Sequence, residues 1–209
     1  VSNIENNWKF SEDLPVESPV IEKARKLSIE MGVAPISRAV GSQLASIVAM
    51  TGARTIAEVG TGLGVSGLWL LSGRDNISLT TIDSESEYHR HARALFTEAG
   101  IAPSRLRFIN GKAEDVLPRM NENSYDLVII DADPDQLLEY FEHSLRLIRP
   151  GGTVLVPRVL KGGRVADPAA RDDVSVDYRT LLTELASSDA VVTALSPAGD
   201  GLLQVTRVG

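Results

Sequence analysis

From residue 54 onward the chain alternates short apolar runs with stretches of helical periodicity, and that alternation restricts the fold more than any other feature. "TIAEV" (55–59), "SLTTID" (78–83), "RLRFIN" (105–110), "YDLVIID" (125–131) and "GTVLVP" (152–157) read as strands. Between them lie helical stretches: "VSGLWLLSG", then 85–99 closed by Gly100, the short "AEDVLPRM", and 136–148 stopped by Pro150-Gly151. A further helix is expected over 178–188. Strands joined through helices require parallel crossovers, so the expectation is a doubly wound α/β sheet with helices on both faces. "AVVTALS" and "LLQVTRV" flank "PAGDG" with no helix between them, which predicts a closing hairpin and one antiparallel edge strand. Upstream, Ile21, Ala24, Leu27 and Met31 recur at helical spacing; Pro35 interrupts, and Val40, Leu44, Ile47 and Val48 mark a second helix ending at Thr51-Gly52. One domain over 1–209 is expected, with 1–50 a helical segment and 54–209 the core.

Composition narrows the function classes. There are no cysteines, which excludes disulfides and thiolate metal sites. The formal net charge of −7 argues against broad binding to nucleic acid or anionic membrane, though not against a local basic groove. No apolar run approaches the roughly 20 residues of a membrane span, and "VSNIENNWKF" lacks the basic-then-apolar order of a signal peptide. A cytoplasmic protein is the expectation.

In such sheets a ligand sits beyond the carboxyl ends of the strands, at the switch point. Glu58, Asp83 and Asp131 all fall at or near such ends. "EVGTGLGVSG" follows the first strand, but its glycines are Gly60, Gly62 and Gly64, and Val65 stands where the dinucleotide fingerprint needs its last glycine. No Gly-Lys-Ser/Thr follows, so it is not a phosphate-binding P-loop. A carboxylate at Glu58 would repel a pyrophosphate and suits a cationic ligand such as S-adenosylmethionine, which carries an ammonium and a sulfonium. Asp83 is placed to accept from ribose hydroxyls. Read alone, the loop is also compatible with a tight turn beside a solvated acid, the lesser of the two readings.

The ordered set "AEVGTGLGVSG", "TTIDSESEYHRHARALFTEAGI", "NGKAEDVLP", "YDLVIIDADPDQLLEYFEHSLRLIRPGG" and "SPAGDGLL" spans nearly the whole chain. It resembles the catechol and caffeoyl-CoA type of S-adenosylmethionine-dependent O-methyltransferase. The resemblance implies a Rossmann-like, seven-stranded, mostly parallel sheet and a homodimer. It implies that Glu58, Gly60, Thr61 and Ser66, with Gly62 in the same loop, hold the methionine half of the cofactor. Asp83 then corresponds to the ribose-binding acid, Ala113 lies at the adenine, Ile36 lines the methionine end, and Asp131 lies near the methyl group and ammonium.

Two features of that family are missing. Its metal-dependent members bind a divalent cation through the acid ending the fourth strand and an Asp-Asn pair ending the fifth; here the pair is replaced by Pro157-Arg158. Proline and arginine offer no lone pair, and a hard cation needs several oxygens, so Asp131, even with Asp133, makes a weak site and no family-type metal is expected. The family's lysine three residues after the acid is Pro134. Arg158 is therefore the candidate to replace the cation, pairing with Asp131 and stabilising a developing oxyanion. His89 and His91 are expected at the surface, and His143 solvated or partly packed. Asp133 and Tyr140 are alternative bases, and 166–177 is expected to be a solvated, acidic loop. Competing readings are a tRNA-modifying methyltransferase of the same fold, a non-catalytic S-adenosylmethionine-binding module and, more distantly, a dehydrogenase. The leading one is methyl transfer to an oxygen of a small-molecule acceptor.

Overall fold

A computed structural model describes residues 3–132 and 134–209. Seven strands, β1 (Thr55–Val59), β2 (Ser78–Asp83), β3 (Leu106–Asn110), β4 (Tyr125–Ile130), β5 (Ile148–Pro157), β6 (Val191–Ser196) and β7 (Leu202–Arg207), form one sheet in the order β3-β2-β1-β4-β5-β7-β6. β1 to β5 are parallel, β7 runs antiparallel to both its neighbours, and β6 is outermost. The antiparallel hairpin closes the sheet as expected, but its reversed strand lies one place in from the edge.

Eight helices are present among the described residues: α1 (Asn3–Asp13), α2 (Pro19–Glu30), α3 (Arg38–Thr51), α4 (Val65–Ser72), α5 (Ser86–Glu98), α6 (Ala113–Val116), α7 (Leu137–Leu147) and α8 (Asp173–Ala186). Successive strand residues serve opposite faces. Ile56, Leu127 and Leu155 pack with α2 to α5, whereas Ala57, Val128 and Val154 pack with α6 to α8. Both faces are thus covered, and the central strands are buried throughout. No helix among the described residues is long and apolar enough to cross a membrane.

Local signals set the helix limits. Ser18 and Ser37 cap α2 and α3, their hydroxyls accepting from the Ile21 and Val40 amides. α8 starts five residues before the sequence expectation because Asp172 caps it, accepting from the Ser175 amide (3.0 Å) and hydroxyl (2.8 Å). α1 is an element the periodicity did not indicate. It buries none of its residues, leaving Ile4, Trp8 and Phe10 exposed.

The segment joining α2 to α3 reaches the carboxyl end of the sheet and is held there by buried charge. Glu17 accepts from Arg25 at 2.8 and 2.5 Å and from the indole of Trp69 in α4 at 3.1 Å. Arg25 also donates to the Ile36 carbonyl (2.6 Å). Burial would raise the Glu17 carboxyl, but the hydrogen bonds and charge of Arg25 outweigh it and hold the group below its usual value. The result is a tied roof, Val33 to Ile36, over the glycine loop.

Candidate active site

β1 is central in a parallel sheet, so its end opens at the point where neighbouring crossovers diverge, between β1 and β4. The chain turns there through Gly60, Gly62 and Gly64, at φ of +93°, +48° and +88°. Gly60 is the tightest point: a Cβ there would overlap the carbonyl oxygen of Asp131. The fingerprint's missing third glycine has a counterpart one turn into α4. A Cβ on Gly67 would stand 2.7 Å from the Phe96 ring and 3.1 Å from Leu79, so this glycine admits the close approach of helix to sheet.

Glu58 does not touch the cavity above the loop. It has no exposed surface, lies beneath the loop, and accepts from the Ser66 and Thr81 hydroxyls at 2.6 Å each. This corrects the expectation that it contacts a cofactor directly. Thr81 is bonded to Thr61 (2.6 Å), and Thr61 to His89 Nε2 (3.0 Å). Each hydroxyl has one proton to give, so with Glu58 ionised the chain runs His89 to Thr61 to Thr81 to Glu58 and the imidazole proton lies on Nε2. His89 is therefore an interior residue, against the surface position expected; burial, foremost, lowers its basicity.

Burial pushes the Glu58 carboxyl up to about 7; its hydroxyl donors pull it down, and the charges of Asp131 and Asp83 add to the rise. A carboxyl raised on folding contributes its stability below its unfolded value and loses it as pH climbs through the folded one. The wild-type protein should therefore lose stability relative to Glu58→Gln as pH rises from about 4.5 to about 7, by at most about 3 kcal/mol. Denaturant unfolding of both proteins across that range checks this; a constant difference would contradict it.

Above the loop lies a cleft of about 530 Å³. Val59, Gly60, Gly62, Ile82, Asp83, Ala113 and Asp131 line it, as do Glu85, Lys112, Glu114, Gln136 and Tyr140. Asp83 accepts from the Gly62 amide (3.0 Å) and the Glu85 amide (2.9 Å), which aims it along the cleft rim. The Tyr140 hydroxyl donates to Glu114 (3.0 Å). A small recess beneath the roof continues the cleft past Gly60, lined by Ile36, Thr61, Ser66 and Arg158. The structure thus brings every expected cofactor residue except Glu58 to one connected space.

Asp131 ends β4 and is ion-paired with Arg158, which stands after β5 at φ +59° and also donates to the Ala34 carbonyl (2.7 Å). Burial pushes the Asp131 carboxyl up, and the charge and hydrogen bond of Arg158 offset that only in part. Of the divalent-metal ligands that the resemblance implies, the described residues keep Asp131 alone. The Asp131 carboxylate already holds a guanidinium, its neighbours across the strand ends are Pro157 and Arg158, and no cluster of three or more His, Asp or Glu is arranged for a cation among the described residues. Asp133, the other sequence candidate, lies outside the described residues. On the far side of the pair is a second cavity of about 340 Å³, which Asp131 and Ala132 also line. Lys161, Tyr178 and Asp200 face it, all three missed in the sequence because long-range folding alone brings them there.

A doubly wound sheet with an acid-lined cleft over a glycine loop at its switch point defines an α/β protein that binds a nucleoside-type cofactor. The O-methyltransferase family model matches residues 11–208, and the chain belongs to that family. A relative from Mycobacterium tuberculosis (strain H37Rv), named Probable O-methyltransferase Rv1220c, is 45% identical over 204 residues, 97% of this chain and 91% of the relative. The crystal structure of a protein from Corynebacterium glutamicum is similar with a TM-score of 0.90 and 31% identity, covering 100% of this chain and 98% of that one. That of the O-methyltransferase TomG from Streptomyces achromogenes, involved in tomaymycin synthesis and solved in complex with S-adenosylmethionine, is similar with a TM-score of 0.84 and 28% identity over the whole of both chains.

Proposed function

We propose that this chain transfers the methyl group of S-adenosylmethionine to an oxygen of a small-molecule acceptor, with the Asp131–Arg158 pair standing where related enzymes use a metal. The observation that carries the cofactor reading is the charge of the cleft. Among the described residues Asp83, Glu85, Glu114 and Asp131 line it with Lys112, and Asp131 is paired with Arg158. The remaining excess of acid repels a pyrophosphate and favours a ligand with an ammonium and a sulfonium. The volume suits a nucleoside with an amino-acid tail. Family membership and the complex of TomG with S-adenosylmethionine support the same reading.

When bound, the cofactor supplies an electrophilic methyl carbon. Asp83 is assigned to the ribose hydroxyls, Ala113 to the adenine edge, and the recess of Ile36, Thr61 and Ser66 to the methionine end. Glu58, one layer below, biases the loop toward a cation. At the acceptor oxygen, Arg158 offers a guanidinium where negative charge develops as the hydroxyl is deprotonated. Asp131 fixes that guanidinium and is the group we assign to receive the proton. Release of S-adenosylhomocysteine from S-adenosylmethionine and phenolic acceptors in EDTA tests the assignment.

A homodimer is inferred from α1, whose Ile4, Trp8 and Phe10 are exposed on a helix with no buried residue of its own. The acid excess in the cleft, and the balance of Asp131 and Asp200 against Arg158 and Lys161 in the second cavity, favour a small molecule over a tRNA acceptor.

A further inference from the structure

The second cavity has one charged group whose position the site described so far does not explain. Its walls are apolar: Ile130, Leu137, Val156 and Pro157, closed by the ring of Tyr178. That ring is fixed, because the Tyr178 hydroxyl donates to the Pro134 carbonyl (3.0 Å). At about 340 Å³ the cavity lies near the lower end of ligand sites, the size for a molecule of one or two rings.

Of the four charged groups that the described residues place in it, three are engaged. Arg158 holds Asp131, Asp131 holds Arg158, and Asp200 accepts from the Gly162 amide at 2.6 Å. Lys161 is different. Its ammonium makes no hydrogen bond among the described residues; it lies 5.6 Å from the centre of the Tyr178 ring. Asp172, at 4.0 Å, is the sole carboxylate of the described residues within that distance. Its oxygens are already occupied, one by Arg164 at 2.6 Å and the other by the Ser175 amide and hydroxyl. The lysine is nonetheless only 22% exposed in its side chain.

The backbone points the same way. Lys161 sits at φ +50°, directly before Gly162 and Gly163 at +64° and +83°. A glycine at 161 would avoid the steric cost that an L side chain meets there. A lysine kept in that conformation and turned inward over an aromatic ring is a cation offered to the cavity.

We propose that Lys161 anchors an anionic group of the acceptor, so that the acceptor is a flat, largely apolar hydroxy compound carrying a carboxylate. This rests on the methyl-transfer reading for the hydroxyl and on Lys161 for the carboxylate. The carboxylate would lie toward the Lys161–Tyr178 wall, with the hydroxyl toward the Asp131–Arg158 pair that borders the cofactor cleft.

The test is calorimetric, in EDTA, with protein saturated with S-adenosylhomocysteine so that no turnover is needed. Protocatechuate and its uncharged amide are titrated into the wild type and into Lys161→Met, which keeps the length of the side chain without its charge. In the wild type the acid should bind about 10- to 100-fold more tightly than the amide, as expected for a charge-assisted hydrogen bond. In Lys161→Met the ratio should fall to within about twofold of one, and Lys161→Arg should restore part of the preference. Equal binding of acid and amide by the wild type, a preference that survives in Lys161→Met, or no binding of either compound overturns the proposal. Failure of S-adenosylhomocysteine itself to bind sinks the methyl-transfer reading instead, and is read in the saturation step before any acceptor is added.

Discussion

Arg158→Met should turn over about 100- to 1,000-fold more slowly than the wild type, the usual loss when one donor to a developing oxyanion is removed. Methylation of a phenol needs a deprotonated oxygen held against the methyl carbon. A hydroxyl with a pKa near 10 is a poor nucleophile at neutral pH, and positioning against the methyl carbon supplies the rest of the acceleration. A metal would lower that pKa; here a guanidinium, held by Asp131 on one side and the Ala34 carbonyl on the other, is the positive charge at the corresponding strand ends. The same substitution leaves the Asp131 carboxylate without its partner in a mostly buried position, which costs about 3 kcal/mol or less because the carboxyl can protonate instead. The two effects separate in the double variant. Asp131→Asn in the Arg158→Met background should recover most of the lost stability and none of the lost turnover. Steady-state kinetics and thermal unfolding of the three proteins check this. Turnover within threefold of wild type in Arg158→Met would leave the arginine a purely structural role.

The second large effect belongs to the loop. Gly60→Ala should weaken S-adenosylmethionine binding at least about 100-fold and destabilise the fold by about 2–5 kcal/mol, the sum of a left-handed alanine and an overpacked contact. The cause is specific: the new Cβ meets the backbone of Asp131, which no rotamer change can move, and separates the ends of β1 and β4. Gly62→Ala is the control. It has φ +48°, but its Cβ would lie 3.4 Å from Val33, an ordinary contact, so it bears only the backbone cost of about 1 kcal/mol. Titration calorimetry and unfolding of the pair decide the matter; equal behaviour of the two variants would contradict it.

The alternation of strands and helices was enough to foresee the sheet, its switch point and the gathering of Asp83 and Asp131 there, because central parallel strands carry an apolar signature on both faces. The same fact should have placed Glu58. A polar residue in the middle strand of a doubly covered sheet is buried, and at the loop base it meets hydroxyls, not ligand. His89 was legible too: with Ala92 and Phe96 it shares the buried stripe of α5. The Asp131–Arg158 pair was visible as a positive charge appearing where the resemblance implies a metal ligand. Lys161 and Tyr178 were not legible. They come from a loop and a helix separated from Asp131 by tens of residues, and only the packing of α8 against α7, β6 and the loop after β5 brings them to one wall. α1 escaped because its apolar residues are few and none of them is buried.

Methyl transfer without a divalent metal is tested by the release of S-adenosylhomocysteine from S-adenosylmethionine and a panel of phenolic acceptors, in EDTA and then in excess magnesium. Product is expected in EDTA at a rate that magnesium changes by less than about twofold, since Arg158 already holds Asp131. Product that appears only with magnesium would contradict it.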